Sequence, residues 1–212
     1  MTTKELKEIL QEVISEMLKP ILNENEFAYR KSSCSFVRNI GDFKQSVKFY
    51  FTPVRHSDDQ SIGHLSIRIW LESDAIEETA STLVNAVSKL DKVDVVVNVD
   101  YGLITGNEAV IFYPNSISDL KEIFRTRIVP CMLNEIIPWL NTKTQMIALV
   151  NDYFDKKNYM NWSSSNAVAL RIIAICFLLN DIITAKKIAY AEFTKPNTGV
   201  KYKKILHKLE KI

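Results

Sequence analysis

One polar segment of the chain holds two histidines and two aspartates, and side chains of these types bind transition-metal ions. If the segment folds back on itself, all four can reach one ion. No second ligand pair at helical spacing accompanies them, however, and isolated His and Asp residues in a polar loop are more often simply solvated. We therefore assign no metal and no cofactor to these residues, which are His56, Asp58, Asp59 and His64.

The groups that commonly act as nucleophiles lack the neighbours that activate them. Cys34, Cys131 and Cys176 are far apart in apolar segments, without the context that favours a thiolate, so we expect small buried side chains in a reducing compartment. The chain has no Gly-x-Ser-x-Gly elbow and no phosphate-binding glycine loop, and it contains only 5 glycines. We predict that the protein is not an enzyme.

Cations and aromatic residues alternate with apolar residues in two predicted strands. Such a sheet face can bind single-stranded nucleic acid through phosphate contacts and base stacking. The same residues also fit an ordinary solvated sheet face, or a face that helices cover. Arg30, Lys31, Arg38 and Arg55 lie near these strands in sequence. The residues that we name the candidate binding face are Lys44, Lys48, Tyr50, Arg68 and Trp70.

Three strands position this candidate binding face. Residues 35–38, a Gly41-Asp42 turn and residues 43–51 have the period-two alternation of a β-hairpin. After a polar loop, apolar residues alternate with polar ones from His64 to Leu71, which predicts a third strand. We expect an antiparallel meander with one buried face.

Helices are predicted before and after the meander. Apolar residues at helical spacing run from Leu6 to Leu22, with Thr2 and Glu5 in capping-box register and Pro20 near the end of the helix. Asp74 and Glu77 repeat the capping-box spacing ahead of the next helix. Residues 93–99 and 109–113 predict two more strands. The expected order is therefore α-β-β-β-α-β-β.

From Ser116 onward the pattern is helical. Pro130 and Pro138 predict kinks or two shorter pieces in the first helix of this part. Four further helices are predicted over residues 142–158, 163–179, 182–194 and 198–212. The fold class is therefore α+β: a sheet domain with a packing helix over residues 1–115, and a helical region over residues 116–212 that we expect to pack on it as one compact body.

Composition places the chain among ordinary globular proteins. It has 212 residues, 47% hydrophobic and 25% charged, and its formal net charge of +2 does not require nucleic acid or membrane as a partner. No secretion signal is visible, and Arg171 interrupts the longest apolar run. The basic C-terminal helix fits an anionic membrane surface, but a docked helix with a solvated face needs the same residues. We expect a cytoplasmic protein without a membrane span.

The first third of the chain resembles a family of uncharacterised bacterial domains. The similarity lies in Leu18-Lys19-Pro20-Ile21-Leu22, in Phe27, in Ser35-Phe36-Val37-Arg38 and in the strand Val47 to Phe51. The family begins with a helix of the form L-K-P-x-L, then G-F, F-x-R and an antiparallel sheet, and Glu26 stands where it usually has glycine. The resemblance implies a bacterial protein of this fold and implies no activity.

A second resemblance lies near the C-terminus. Small and large apolar residues recur over two helices at Ala169-Leu170, Ala174, Leu178-Leu179, Asp181, Ala185 and Ala189. This spacing is similar to one tetratricopeptide-type helical hairpin. Arrays of that type need about three repeats to bury a continuous core, so an ordinary pair of antiparallel helices is favoured here.

These observations favour a non-enzymatic module that binds another protein. Neutralising a toxin as an immunity protein is one form of that function, by analogy of fold alone. The alternative is nucleic-acid binding through the candidate binding face. An enzyme or ligand-binding protein with a pocket between the sheet and the C-terminal helices has no support in the sequence. The sequence leaves the oligomeric state open.

Overall fold

The computed structural model describes residues 1–54, 60–85, 96–161, 164–196 and 198–209. Within these ranges the chain is an α+β protein with an N-terminal helix, an antiparallel sheet and a helical C-terminal half, which confirms the predicted fold class. No helix of the described ranges is long and apolar enough to cross a bilayer. The predictions for Arg55, His56, Asp58, Asp59 and residues 93–95 lie outside the described residues.

The N-terminal helix is two helices rather than one. Helix α1 spans Thr3–Met17, and the predicted capping box is present, with the Glu5 N–H donating to Thr2 Oγ1 at 3.3 Å and the Thr2 N–H donating to Glu5 Oε2 at 2.7 Å. Helix α2 spans Lys19–Glu24 and places Pro20 in its first turn, where the missing N–H has no intrahelical acceptor to lose. The proline therefore begins a new helix at this point.

Helix α2 ends in a left-handed residue that is not glycine. The Glu26 N–H donates to the Asn23 carbonyl at 3.0 Å, and the Phe27 N–H donates to the Leu22 carbonyl at 2.9 Å. These two bonds define a Schellman motif, whose left-handed position is usually glycine because glycine has no Cβ to strain. Glu26 occupies that position with a φ of 65°.

Replacing Glu26 with glycine is expected to stabilise the protein by about 0.5–1 kcal/mol, because relief of Cβ strain outweighs the extra freedom of glycine in the unfolded chain. Thermal unfolding followed by circular dichroism should show a Tm higher by about 2 °C. Glu26→Ala is the matched control, since it removes the carboxylate and keeps the Cβ. An equal gain from alanine would contradict the backbone explanation.

The sheet has six strands within the described ranges, in the order β1-β2-β3-β4-β5, with β6 pairing with β4. The predicted hairpin, its turn at Gly41 (φ 56°) and the third strand of the meander are confirmed. Strand β1 was not predicted, and β6 is shorter than the predicted 109–113. The strands are β1 (Ala28–Arg30), β2 (Ser35–Ile40), β3 (Phe43–Thr52), β4 (His64–Glu72), β5 (Val97–Asp100) and β6 (Ile111–Phe112).

One face of the meander is buried, as its period-two pattern predicts. Leu65, Ile67, Ile69 and Leu71 of β4 are each 0% exposed, and the residues between them are half-buried. On β3 the buried alternation continues through Phe43, Val47, Phe49 and Phe51, and it includes Gln45.

Two short helices follow strands β4 and β5 in the chain. Helix α3 (Asp74–Leu83) has Ser73 as its N-cap, so Asp74 is its first residue and the predicted capping box at Asp74 is wrong. Helix α4 (Tyr101–Ile104), in a region predicted as a turn, begins after Asp100, whose buried Oδ1 accepts the Gly102 N–H at 2.9 Å and the Val110 N–H at 3.0 Å. The carboxylate thereby organises the connection from β5 to β6.

The predicted helical region begins with a continuous run over residues 117–142. Its α-helical pieces are α5 (Ile117–Ile123), α6 (Val129–Cys131) and α7 (Ile137–Thr142), and they are joined by π-helical turns at Phe124–Ile128 and Met132–Ile136. A wide turn thus precedes each proline, Pro130 and Pro138, and the predicted interruption takes the form of two π-helical turns.

The spacing of the buried residues in this run explains why the π-helical turns occur. In an α-helix of 3.6 residues per turn, residues four apart point in directions that differ by about 40° around the axis. After five such intervals, the side chain would no longer point toward the core. Turns with i→i+5 hydrogen bonds contain more residues and cancel this difference. The fully buried residues of the run recur every four positions, at Leu120, Phe124, Ile128, Met132, Ile136 and Leu140.

Four helices complete the described part of the chain. The structure confirms a helix within each of the four predicted ranges. The connection between the second and third places Asn180 at a φ of 58° and Asp181 at the next N-cap. The second is buried on all sides over residues 168–176. The helices are α8 (Met146–Phe154), α9 (Ser165–Leu178), α10 (Ile182–Phe193) and α11 (Val200–Leu209).

The chain divides into two compact units. The sheet unit comprises residues 1–40, 44–70 and 98–142, with the N-terminal helices, most of the sheet and the run of residues 117–142. The helical unit comprises residues 41–43, 71–97 and 143–212, and in it α9 packs against α3, α8 and α10. The predicted sheet domain of residues 1–115 and its packing against the rest as one body stay predictions.

Candidate functional site

The candidate binding face lies within the sheet unit, on the side of β3 and β4 that faces away from the buried alternation. Tyr50 is 42% exposed, and Lys44, Lys48, Arg68 and Trp70 are half-buried. The strand alternation therefore places all five residues on one side of the sheet, as predicted.

Lys48 and Trp70 form the closest contact of this face. The Lys48 ammonium lies 3.1 Å from the centre of the Trp70 ring, the geometry of a cation–π contact. The indole Nε1 of Trp70 is buried and has no hydrogen-bond partner among the described residues. The indole is thus covered by Lys48 on one ring face and withdrawn from solvent at its polar edge.

Arg68 is held by the neighbouring strand. Its Nε donates to Asn98 Oδ1 at 3.1 Å, and its Nη2 donates to the Asn98 carbonyl at 3.3 Å. Burial raises the pKa of the Tyr50 phenol, and the positive charge of Arg68 opposes that rise in part. The Tyr50 phenol is therefore neutral at pH 7, and it lies close enough to the Arg68 guanidinium for the positive charge to affect its pKa.

The charge of this face is positive. The outward positions of β3 and β4 carry three cations, Lys44, Lys48 and Arg68, and one carboxylate, Glu72 at the end of β4. Lys44 lies four residues before Lys48 on the same strand, about 13 Å away along an extended backbone. Lys44 and Lys48 therefore lie along β3, and Arg68 lies on the neighbouring strand β4.

Arg38, one of the basic residues that lie near these strands in sequence, does not contribute to this surface. It is 6% exposed and lies over the Phe27 ring at 4.4 Å. It donates from Nε to Gln45 Oε1 at 2.9 Å, from Nη1 to the Asn25 carbonyl at 3.1 Å and from Nη2 to Asn141 Oδ1 at 2.7 Å. The sheet alternation places it on the core side with Gln45, where these acceptors satisfy it.

The surroundings of the three cysteines favour the protonated thiol. All three are free; Cys34 and Cys176 are buried and Cys131 is half-buried. Burial raises the pKa of Cys34, and it raises the pKa of Cys131 and of Cys176 to about 11. The thiols are therefore protonated at neutral pH. Among the described residues no group of three or more His, Cys, Asp or Glu side chains is placed to hold a metal.

Sequence reasoning missed two features with polar chemistry. Asn98, which orients Arg68, lies between Val97 and Val99 of β5, and a polar residue between two valines was its only signal in the sequence. In the helical unit, Asp152 Oδ2 accepts from the Tyr159 phenol and pairs with the Lys143 ammonium, and all three residues are buried. Polar residues inside apolar helical segments were the only sign of this cluster.

Comparisons of the chain with protein-family models, with curated proteins and with solved structures found no match. The two resemblances drawn from the sequence, to an uncharacterised bacterial family and to a tetratricopeptide-type hairpin, stay predictions.

Proposed function

We propose that the protein is a non-enzymatic, cytoplasmic module that binds an acidic surface of another protein through the candidate binding face. The observation that carries the proposal is the Lys48 ammonium held 3.1 Å from the Trp70 ring, on the same side of the sheet as Arg68. Three cationic side chains on the face complement a partner surface rich in carboxylates. The three free cysteines support a reducing compartment.

The residue types of this face are those that dominate protein–protein affinity. Trp, Tyr and Arg are enriched among residues whose truncation costs most of the binding energy. Lys48 rests on Trp70, and Asn98 holds Arg68. Side chains that are already held lose less conformational entropy when a partner docks. Neutralisation of a toxin, in the manner of an immunity protein, is one role that such a surface can serve.

The contact between Lys48 and Trp70 favours a protein partner over nucleic acid. Binding of single strands relies on aromatic rings whose faces are open to successive bases. Lys48 covers one face of Trp70, and the indole Nε1 is buried. Tyr50, 42% exposed, is the ring of this face that remains available for stacking. A single accessible ring can contact a protein partner, but it cannot stack against several successive bases.

Charge reversal on this face is expected to abolish partner capture. With a photo-crosslinking phenylalanine at Tyr50 in living cells, the chain should crosslink to a protein through an acidic peptide. Lys48→Glu with Arg68→Glu should lower the affinity for that protein at least about tenfold, because like charges then oppose each other across the interface. Lys4→Glu is the matched control, since the side chain of Lys4 is 87% exposed on α1.

The outcomes of this experiment separate the two partner classes. Crosslinks that survive nuclease treatment and disappear in the double variant support the proposal. Crosslinks to oligonucleotides, or affinity that the double variant and Lys4→Glu lose equally, would overturn it. Mass spectrometry of the crosslinked peptide identifies the partner and shows whether its contact surface is acidic.

A further inference from the structure

The helical unit contains a cavity of about 430 Å³, which we name the helical pocket. Its size lies within the range of small-molecule sites. It opens between the end of α8, the 3₁₀ turn Asn158–Asn161 and the sides of α9 and α10. Among the described residues its lining comprises Tyr153, Phe154, Lys156, Lys157, Met160, Ser165, Val168 and Glu192.

The floor of the pocket is apolar. Met160 is 7% exposed and Val168 is 4% exposed, while the Phe154 ring forms a wall that is 45% exposed. An exposed aromatic ring beside a buried apolar floor stabilises a ligand with a flat apolar body, since both surfaces leave water when the ligand binds.

The rim of the pocket is positively charged. Lys156 and Lys157 line it, and the Lys187 ammonium lies 5.6 Å from the centre of the Phe154 ring. The two carboxylates nearby are each paired, Glu192 with Lys195 at 2.6 Å and Asp155 with Lys157 at 3.7 Å. The rim and its surroundings therefore carry four ammonium groups and two carboxylates, and this excess of positive charge favours a ligand that carries negative charge. The ammonium groups are those of Lys156, Lys157, Lys187 and Lys195.

Hydrogen bonds hold the backbone beside the pocket in place. Below the floor, the buried Asp152 carboxylate anchors Tyr159, the residue before Met160. The Lys157 N–H donates to the Asp152 carbonyl at 3.0 Å, and the Lys156 N–H donates to the Tyr153 carbonyl at 3.2 Å. These bonds form a Schellman motif that fixes the backbone of both rim lysines. Binding then requires little reordering of the chain.

Two further observations fit a binding site. Lys156 has a φ of 53°, at a position where glycine is the unstrained residue, and backbone strain of this kind often accompanies functional sites. Burial, and next the Glu192 carboxylate, raise the pKa of Tyr153 to about 12, so its phenol is a neutral hydrogen-bonding group at pH 7. We propose that the helical pocket binds a small organic anion with an aromatic body, of the aromatic-carboxylate class.

The test follows the Met160 methyl signal of the full chain by NMR during titration with naphthalene-2-carboxylate. A saturable shift is expected from this probe. Naphthalene-2-methylamine has the same ring with the opposite charge, and acetate has the charge without the ring, so neither should produce the shift. An equal response to the amine, or no response to the carboxylate up to its solubility limit, would overturn the proposal.

Lys156→Gly separates binding from folding. The variant removes one rim cation and the positive-φ strain together, so it should lower the affinity for the carboxylate about fivefold or more while raising the Tm by about 2 °C. Glu26→Gly is the matched control, because it relieves the same strain in the sheet unit and should leave the affinity unchanged. Unchanged affinity in Lys156→Gly would contradict the assignment, whatever the candidate binding face binds.

Discussion

Replacing Lys143 with methionine is expected to lower the free energy of unfolding by about 3–5 kcal/mol, the largest effect that we expect of any single substitution. The Lys143 ammonium pairs with the Asp152 carboxylate inside the helical unit. Without the ammonium, a buried negative charge remains, and the Tyr159 hydroxyl alone cannot compensate for it. Urea unfolding followed by circular dichroism measures the change.

A second substitution distinguishes the buried charge from lost packing. Adding Asp152→Asn to Lys143→Met removes the carboxylate and keeps an oxygen that can accept from Tyr159. The double variant should therefore recover about half of the lost stability or more. If Lys143→Met stays within about 1 kcal/mol of the natural chain, or if the double variant is less stable than the single one, the buried pair does not have the role assigned to it.

Replacing Arg38 with methionine is expected to cost about 2–4 kcal/mol, because two side-chain oxygens and one backbone carbonyl lose their donor inside the sheet unit. Those acceptors belong to Gln45, Asn141 and Asn25. Gln45 also donates from Nε2 to the Leu140 carbonyl at 2.8 Å, so Arg38 fixes a side chain that in turn ties β3 to the end of α7. Chemical denaturation again reports the loss.

The shape of the guanidinium explains this effect, and Arg38→Lys tests that explanation. Lysine keeps the charge, but its single ammonium cannot serve three acceptors that lie in different directions. We expect Arg38→Lys to retain less than half of the stability that Arg38→Met loses. Arg38→Met combined with Gln45→Met should be closer to the natural chain, since removing both partners leaves fewer unpaired groups. Full retention by lysine would show that charge alone matters.

The sheet could be predicted because its pattern is local. Alternation along His64–Glu72 defines which residues are buried, and the same alternation placed Lys48, Tyr50, Arg68 and Trp70 on one side. A short strand such as Ala28–Arg30 has no period of its own and is defined by its pairing with β2. Arg38 shows more clearly what a local pattern cannot predict. Its charge indicated the surface, but its acceptors at Asn25 and Asn141 are 13 and 103 residues away.

The helical pocket could not be predicted for a related reason. Phe154, Val168 and Glu192 come from three different helices, and Lys157 lies in the connection after the first of them. The apolar periodicity of one helix does not indicate which residues of the other helices lie beside it. Met160 lies in the 3₁₀ turn of Asn158–Asn161, which has no amphipathic pattern. Charge and residue type along the chain do not reveal a concave surface.

The π-helical turns of residues 117–142 make that run sensitive to length rather than to composition. One residue added to a helix, or removed from it, rotates everything beyond the change by about 100° around the axis. A single deletion between Phe124 and Ile136 would therefore turn Leu140 away from the side on which Leu120 is buried. Exchanges among apolar residues of similar volume keep the phase of the helix. The run can thus vary in side chains over time, but its number of residues is fixed.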